Sequence, residues 1–110
     1  MLGRRLQRQG YRVTMAVDGR QALDIMNRET FDLVLLDIML PVMNGYEVLE
    51  ELRAHQTLSQ IPVIITTSLD ESDGKAKCLA LGAEDYLTKP FNPVLLKSRI
   101  GDCLERHRRA

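Results

Sequence analysis

Two short runs with no polar side chain, "LVLL" at residues 33–36 and "IPVII" at residues 61–65, constrain the fold more than any other feature of the chain. A strand with one wetted face alternates apolar and polar residues. A strand without that alternation reads as buried on both faces, the habit of parallel sheets covered by helices. Between the two runs lies "YEVLEELRAH", in which Val48, Leu49 and Leu52 recur at helical spacing while Glu47, Glu50, Glu51 and Arg53 are expected to point outward. Apolar strand, amphipathic helix, apolar strand is the pattern of a parallel crossover unit.

The rest of the chain extends the alternation. "LGRRLQRQG" reads as the end of a helix stopped by Gly10. "YRVTMAV" alternates and is rich in β-branched residues, which predicts a strand closed by the turn pair Asp18-Gly19. "RQALDIMNRE" places Ala22, Leu23, Ile25 and Met26 on one helical stripe. "ESDGKAKCLALG" predicts a helix that starts in an acidic capping turn, "DESD" at residues 70–73, and stops at Gly82. "EDYLTK" predicts a short strand with a solvated Asp85 at its start. Residues 93–109 predict a last helix, with Pro93 in its first turn and Leu96, Ile100, Cys103 and Leu104 inward.

Helix and strand thus alternate throughout, which predicts a single α/β domain over residues 1–110, a parallel sheet with helices on both faces. A formal net charge of zero provides no field for direct nucleic-acid binding or for an anionic membrane. No apolar run approaches the ~20 residues of a membrane span, and no leader pattern opens the sequence, so a cytoplasmic location is expected. Cys78 and Cys103 lack partner spacing and read as half-buried helix positions in a reducing compartment. His55 and His107 stand alone without metal-ligand spacing and read as surface residues. The basic tail "RHRRA" reads as a helix C-terminus.

A carboxylate at the end of an apolar strand costs stability unless it is paired or used. Asp37 ends "LVLLD", Thr67 ends "PVIITT" and Lys89 ends "DYLTK". Open α/β sheets gather their chemistry outside the carboxyl ends of the strands. One rim therefore offers an acid, a hydroxyl and an ammonium. An aspartate can act as nucleophile toward a phosphoryl group, and the oxygens of the product need donors and counter-charge, which a hydroxyl and a lysine provide.

In "FDLVLLDIMLPVMNGYEVLEELR", "IPVIITTSLDE" and "GAEDYLTKPFNPVLL", in that order and at family spacing, the chain resembles the receiver domain of two-component response regulators. The resemblance spans essentially the whole chain. It implies a flavodoxin-like, doubly wound parallel sheet. It also implies Asp37 as phosphoacceptor from a histidine kinase or a histidine phosphotransfer protein, Thr67 as the hydroxyl that moves toward the phosphoryl group, and Lys89 as its ion-pair partner. Tyr86 matches the aromatic that swings with that hydroxyl. Pro90 matches a cis-proline, Ser68 stands where a small residue usually follows the switch hydroxyl, and Mg²⁺ would be held by the Asp37 carboxylate and the Met39 backbone carbonyl.

The resemblance departs at the start. The family opens with a strand ending in two acidic residues, central in a 2-1-3-4-5 sheet, whereas this chain begins inside the first helix. The expectation is therefore a receiver lacking its central first strand, with Mg²⁺ binding weakened or lost. Each unpaired buried backbone group would cost about 1–3 kcal/mol, against a total of ~5–15 kcal/mol for a domain. Marginal stability and association are expected of the chain on its own.

A phosphatase of the haloacid dehalogenase type also uses a strand-end aspartate, but it needs a second aspartate two residues on, where this sequence has Met39. The expectation is a signalling acceptor and not an enzyme. The alternative is a receiver-like interaction module that is never phosphorylated, or an inert fragment. The C-terminal segment is similar to receiver ends that lead by a helical connector to a cyclase or kinase output domain, with a DNA-binding effector left open.

Overall fold

The computed structural model of the chain describes residues 6–39, 41–55, 58–67, 72–89 and 92–108. Residues 6–8 are helical, and Gly10 ends them in the left-handed region at φ +96°, a conformation glycine adopts without strain. Then follow α1 (Gly19–Arg28), β1 (Val34–Leu36), α2 (Gly45–Ala54), a 3-10 turn (Leu58–Gln60), β2 (Val63–Thr67), α3 (Ser72–Ala80), β3 (Asp85–Thr88) and α4 (Pro93–Arg108). The strands form a parallel sheet in the order β1-β2-β3, with Val34 opposite Val63 and Ile65 opposite Tyr86.

The period-2 alternation of the strands divides the core in two. On one face Leu36, Val63, Ile65 and Tyr86 pack with Leu23 and Met26 of α1, with Val48, Leu49 and Leu52 of α2, and with Cys78 of α3. On the other, Ile64 and Leu87 pack with Leu6 and with Leu96, Ile100 and Cys103 of α4. Both cysteines are completely buried instead of half-buried, because each faces the sheet from the centre of its helix stripe.

Five further expectations are corrected. The first concerns "YRVTMAV", which is not a strand: residues 11–16 carry no regular structure. Tyr11 and Val13 still pack on the α4-side core, but Met15 and Val17 are 67% and 72% exposed. A strand exists only with a neighbour to share its hydrogen bonds, and among the described residues none lies beside this segment. The same fact corrects β1. Every residue of β2 is buried, whereas Val34 and Leu35 are only partly so, because β1 pairs with β2 alone among the described residues.

The third correction is local. Asp18 is not half of a turn pair closing a strand but the N-cap of α1, its carboxylate accepting from the Gln21 N–H at 2.8 Å while Gln21 accepts from the Val17 N–H at 2.7 Å. The fourth is Arg53, which turns inward: its guanidinium donates to the Leu81 and Gly82 carbonyls at 3.0 and 2.9 Å, just past α3, where Gly82 has φ +93°. Orphan carbonyls and the negative end of the helix dipole draw the cation there. Asp85, expected to be solvated, pairs with Arg99 of α4.

Candidate functional site

The ends of the three strands among the described residues meet on one rim. Asp37 follows β1 directly, Thr67 is the last residue of β2, and Lys89 follows β3. Parallel pairing puts these ends side by side: Thr67 lies opposite Thr88, and the Lys89 N–H donates to the Thr67 carbonyl at 2.6 Å. Lys89 Nζ reaches across to Asp37 Oδ2 at 2.8 Å. The other carboxylate oxygen, Oδ1, accepts from the Met39 N–H at 2.9 Å, the local turn that aspartate favours at the start of a loop.

The Asp37 and Lys89 side chains are 28% and 42% exposed. An ion pair this open contributes about 0–1 kcal/mol to folding, so structural necessity does not explain it. A carboxylate has about four acceptor positions, and the two contacts above leave others facing water. The result is an accessible carboxylate with an ammonium beside it, which can offset negative charge arriving at this rim.

The loop after Asp37 is held from beneath by the start of α2. Asn44 caps that helix, accepting from the Glu47 N–H at 3.0 Å, while Glu47 accepts from the Asn44 N–H at 3.1 Å. The Gly45 N–H donates to the Ile38 carbonyl at 2.9 Å. A Cβ on Gly45 would stand 2.6 Å from the Asp37 carbonyl oxygen and equally close to Ile38 Cα, so only glycine fits. The chain between them is bent by a tight turn, Met43 N–H to Pro41 carbonyl at 2.7 Å, whose central residue Val42 has φ +68°. For a β-branched residue this is strained, and such strain gathers at sites whose loops must be held in one shape.

Thr67 is completely buried, and Tyr86 is 8% exposed. The register places them on the same face of the sheet, because Tyr86 is opposite Ile65 and Thr67 is two residues beyond Ile65. Met39 is on the surface at 60% exposure. Asp37 and Lys89 are therefore in contact, and Thr67 is tied to Lys89 through the backbone. Pro90 and Ser68 lie outside the described residues, as does the start of the acidic turn at 70–71. Sequence reasoning missed Gly45 and Val42. The pair Asn44-Gly45 before a helical stripe was the available signal for the first, and a positive φ at a valine leaves no signal in sequence.

The sequence matches the family described as response regulator receiver domain over residues 1–101. It is 43% identical over 106 residues to a probable transcriptional regulator, ycf27, of Porphyridium aerugineum, covering 96% of this chain and 43% of that protein. The chain thus spans under half the length of the curated relatives it matches. The fold superposes on the signal receiver domain of a signal transduction histidine kinase from Syntrophus aciditrophicus with a TM-score of 0.89 at 31% identity, covering 99% of this chain and 83% of that one. It also superposes on the receiver domain of a sensor histidine kinase from Pseudomonas aeruginosa, TM-score 0.82 at 35% identity, covering 91% and 82%. That structure has a magnesium ion coordinated in its active site cleft.

Proposed function

Because the chain belongs to the receiver domain family of response regulators, we propose that it is the phosphoacceptor module of a two-component phosphorelay, with Asp37 the residue modified. The observation that carries this reading is the 2.8 Å contact between Lys89 and Asp37 at neighbouring strand ends. An Asp37 oxygen attacks the phosphorus of a phosphohistidine on a histidine kinase or a phosphotransfer protein. The new P–O bond forms as the P–N bond breaks, and the imidazole leaves. Lys89 then pairs with the phosphoryl oxygens. The Thr67 hydroxyl donates to them, and Tyr86, on the same sheet face, follows Thr67.

Mg²⁺ fits this rim: the Asp37 carboxylate retains open acceptor positions and sits against the Met39 backbone, which would add a carbonyl. The ion would neutralise charge on the transferring phosphoryl group. Mg²⁺ usually relies on one or two carboxylates besides its waters, and Asp37 supplies one. The output is signalled through α4. Relatives named as transcriptional regulators favour a transcriptional output over the cyclase or kinase type.

The test is incubation of the chain with acetyl phosphate and Mg²⁺, read by intact mass. The expected result is one added phosphoryl group, absent in Asp37→Asn. An unmodified parent chain would favour the alternative, a receiver-like interaction module that is not phosphorylated.

A further inference from the structure

At the opposite end of the sheet from Asp37, three side chains with metal-binding atoms converge. Glu84 precedes β3, its N–H bonded to the Val63 carbonyl at 2.8 Å at the start of β2. Cys103 and His107 lie four residues apart on α4, hence on one helix face. Glu84 Oε1 is 2.8 Å from His107 Nε2, and the carboxylate oxygen, the imidazole nitrogen and Cys103 Sγ are all within 4.8 Å of one another. His107, read from sequence as a surface residue standing alone, is therefore in a cluster.

From this convergence we propose a transition-metal site formed by Glu84, Cys103 and His107, of the class that takes Zn²⁺ or Co²⁺, with water as fourth ligand. One thiolate, one imidazole and one carboxylate are ligands that Zn²⁺ accepts in tetrahedral geometry, at about 2.0–2.3 Å from the ion. Ligand atoms in that geometry stand about 3.3–3.6 Å apart, so Glu84 Oε1 and His107 Nε2 separate from 2.8 Å while Cys103 Sγ, within 4.8 Å of both, draws in. On binding, the Cys103 thiol loses its proton to solvent and the sulfur becomes a thiolate ligand. The imidazole binds neutral through Nε2, replacing its contact with Glu84. A thiolate and an imidazole disfavour Mg²⁺, so the site does not compete with the phosphoacceptor rim for that ion.

Two features oppose the ion and set its affinity. Burial, reinforced by the Glu84 charge, pushes the Cys103 thiol up, and Arg106 pulls it partly back. Arg106 also stands 3.4 Å from Glu84 Oε2 and repels a cation. What the metal gains is a clamp. It would fix the last turns of α4 to the strand bottom, the segment through which a following domain would be addressed.

The experiment uses the 110-residue chain without an affinity tag, stripped of metal, kept reduced and titrated with Co²⁺. A sulfur-to-cobalt charge-transfer band and tetrahedral d–d bands are expected, both abolished by Zn²⁺ and both retained in Asp37→Asn. Cys103→Ser removes the charge-transfer band. Because a hydroxyl at that buried position can itself unfold the chain, the solvent-accessible ligands carry the decision. His107→Ala and Glu84→Gln keep the far-ultraviolet circular dichroism and weaken Co²⁺ binding by about tenfold or more. Absence of the charge-transfer band in the parent chain, or an affinity unchanged in both variants, would overturn the site.

Discussion

The role proposed for Lys89 is separable from its contribution to folding. Its ion pair with Asp37 is open to water, and exposed pairs are worth about 0–1 kcal/mol. Lys89→Ala is therefore predicted to shift the urea unfolding free energy by no more than about 1 kcal/mol. It should nonetheless abolish the chemical-shift changes that beryllofluoride and Mg²⁺ induce at Thr67 and Tyr86, read by NMR. The same shifts in variant and parent would remove Lys89 from the relay. Val42 behaves in the opposite way. It is 82% exposed, so its side chain packs little, yet its backbone is held at φ +68°. Relief of such strain is worth on the order of 1–3 kcal/mol, less the entropy glycine adds to the unfolded chain. Val42→Gly is predicted to raise stability by about 1 kcal/mol in urea denaturation. A destabilised variant would show that the strain is absent.

At the scale of elements, what could be read from sequence was what a segment decides for itself. The helix stripe of Val48, Leu49 and Leu52 is buried, the stops at Gly10 and Gly82 have positive φ, and Asp37, Thr67 and Lys89 fall at strand ends because the apolar runs before them mark those ends. What could not be read was what depends on a neighbour. The alternation of residues 11–17 signals a face but not a partner strand. Arg53 lies on the helix stripe as an outward cation, yet the carbonyls after α3 lie within its reach. Cys103 and His107 have visible helical spacing, but Glu84 joins them only through the fold. A prediction follows for β1. The parallel ladder pairs the Val34 N–H with the Pro62 carbonyl, so alternation turns the Leu35 N–H to the other edge. Its amide should exchange with deuterium faster than those of Val34 and of Ile65 in β2. Equal protection at Leu35 and Ile65 would mean that the outer edge of β1 is covered.

The whole molecule combines two properties of its sheet. Helices cover both faces and build two cores, while the carboxyl ends of the strands stay open at the rim where Asp37 and Lys89 meet. The first makes the second precise, since β2, fully buried, sets the position of its neighbours and through them of the Asp37 and Lys89 side chains. As the proposed phosphoacceptor, this rim takes up a phosphoryl group on Asp37 and nowhere else. The most direct measurement treats the chain with acetyl phosphate and Mg²⁺, reduces the acyl phosphate with borohydride, and maps the product by peptide mass spectrometry. Borohydride converts a phosphorylated aspartate to homoserine and leaves a free carboxylate untouched. Homoserine is expected at position 37 alone. Homoserine at Asp18, Asp32 or Asp85 with Asp37 intact, or none at all in a folded chain, would contradict it.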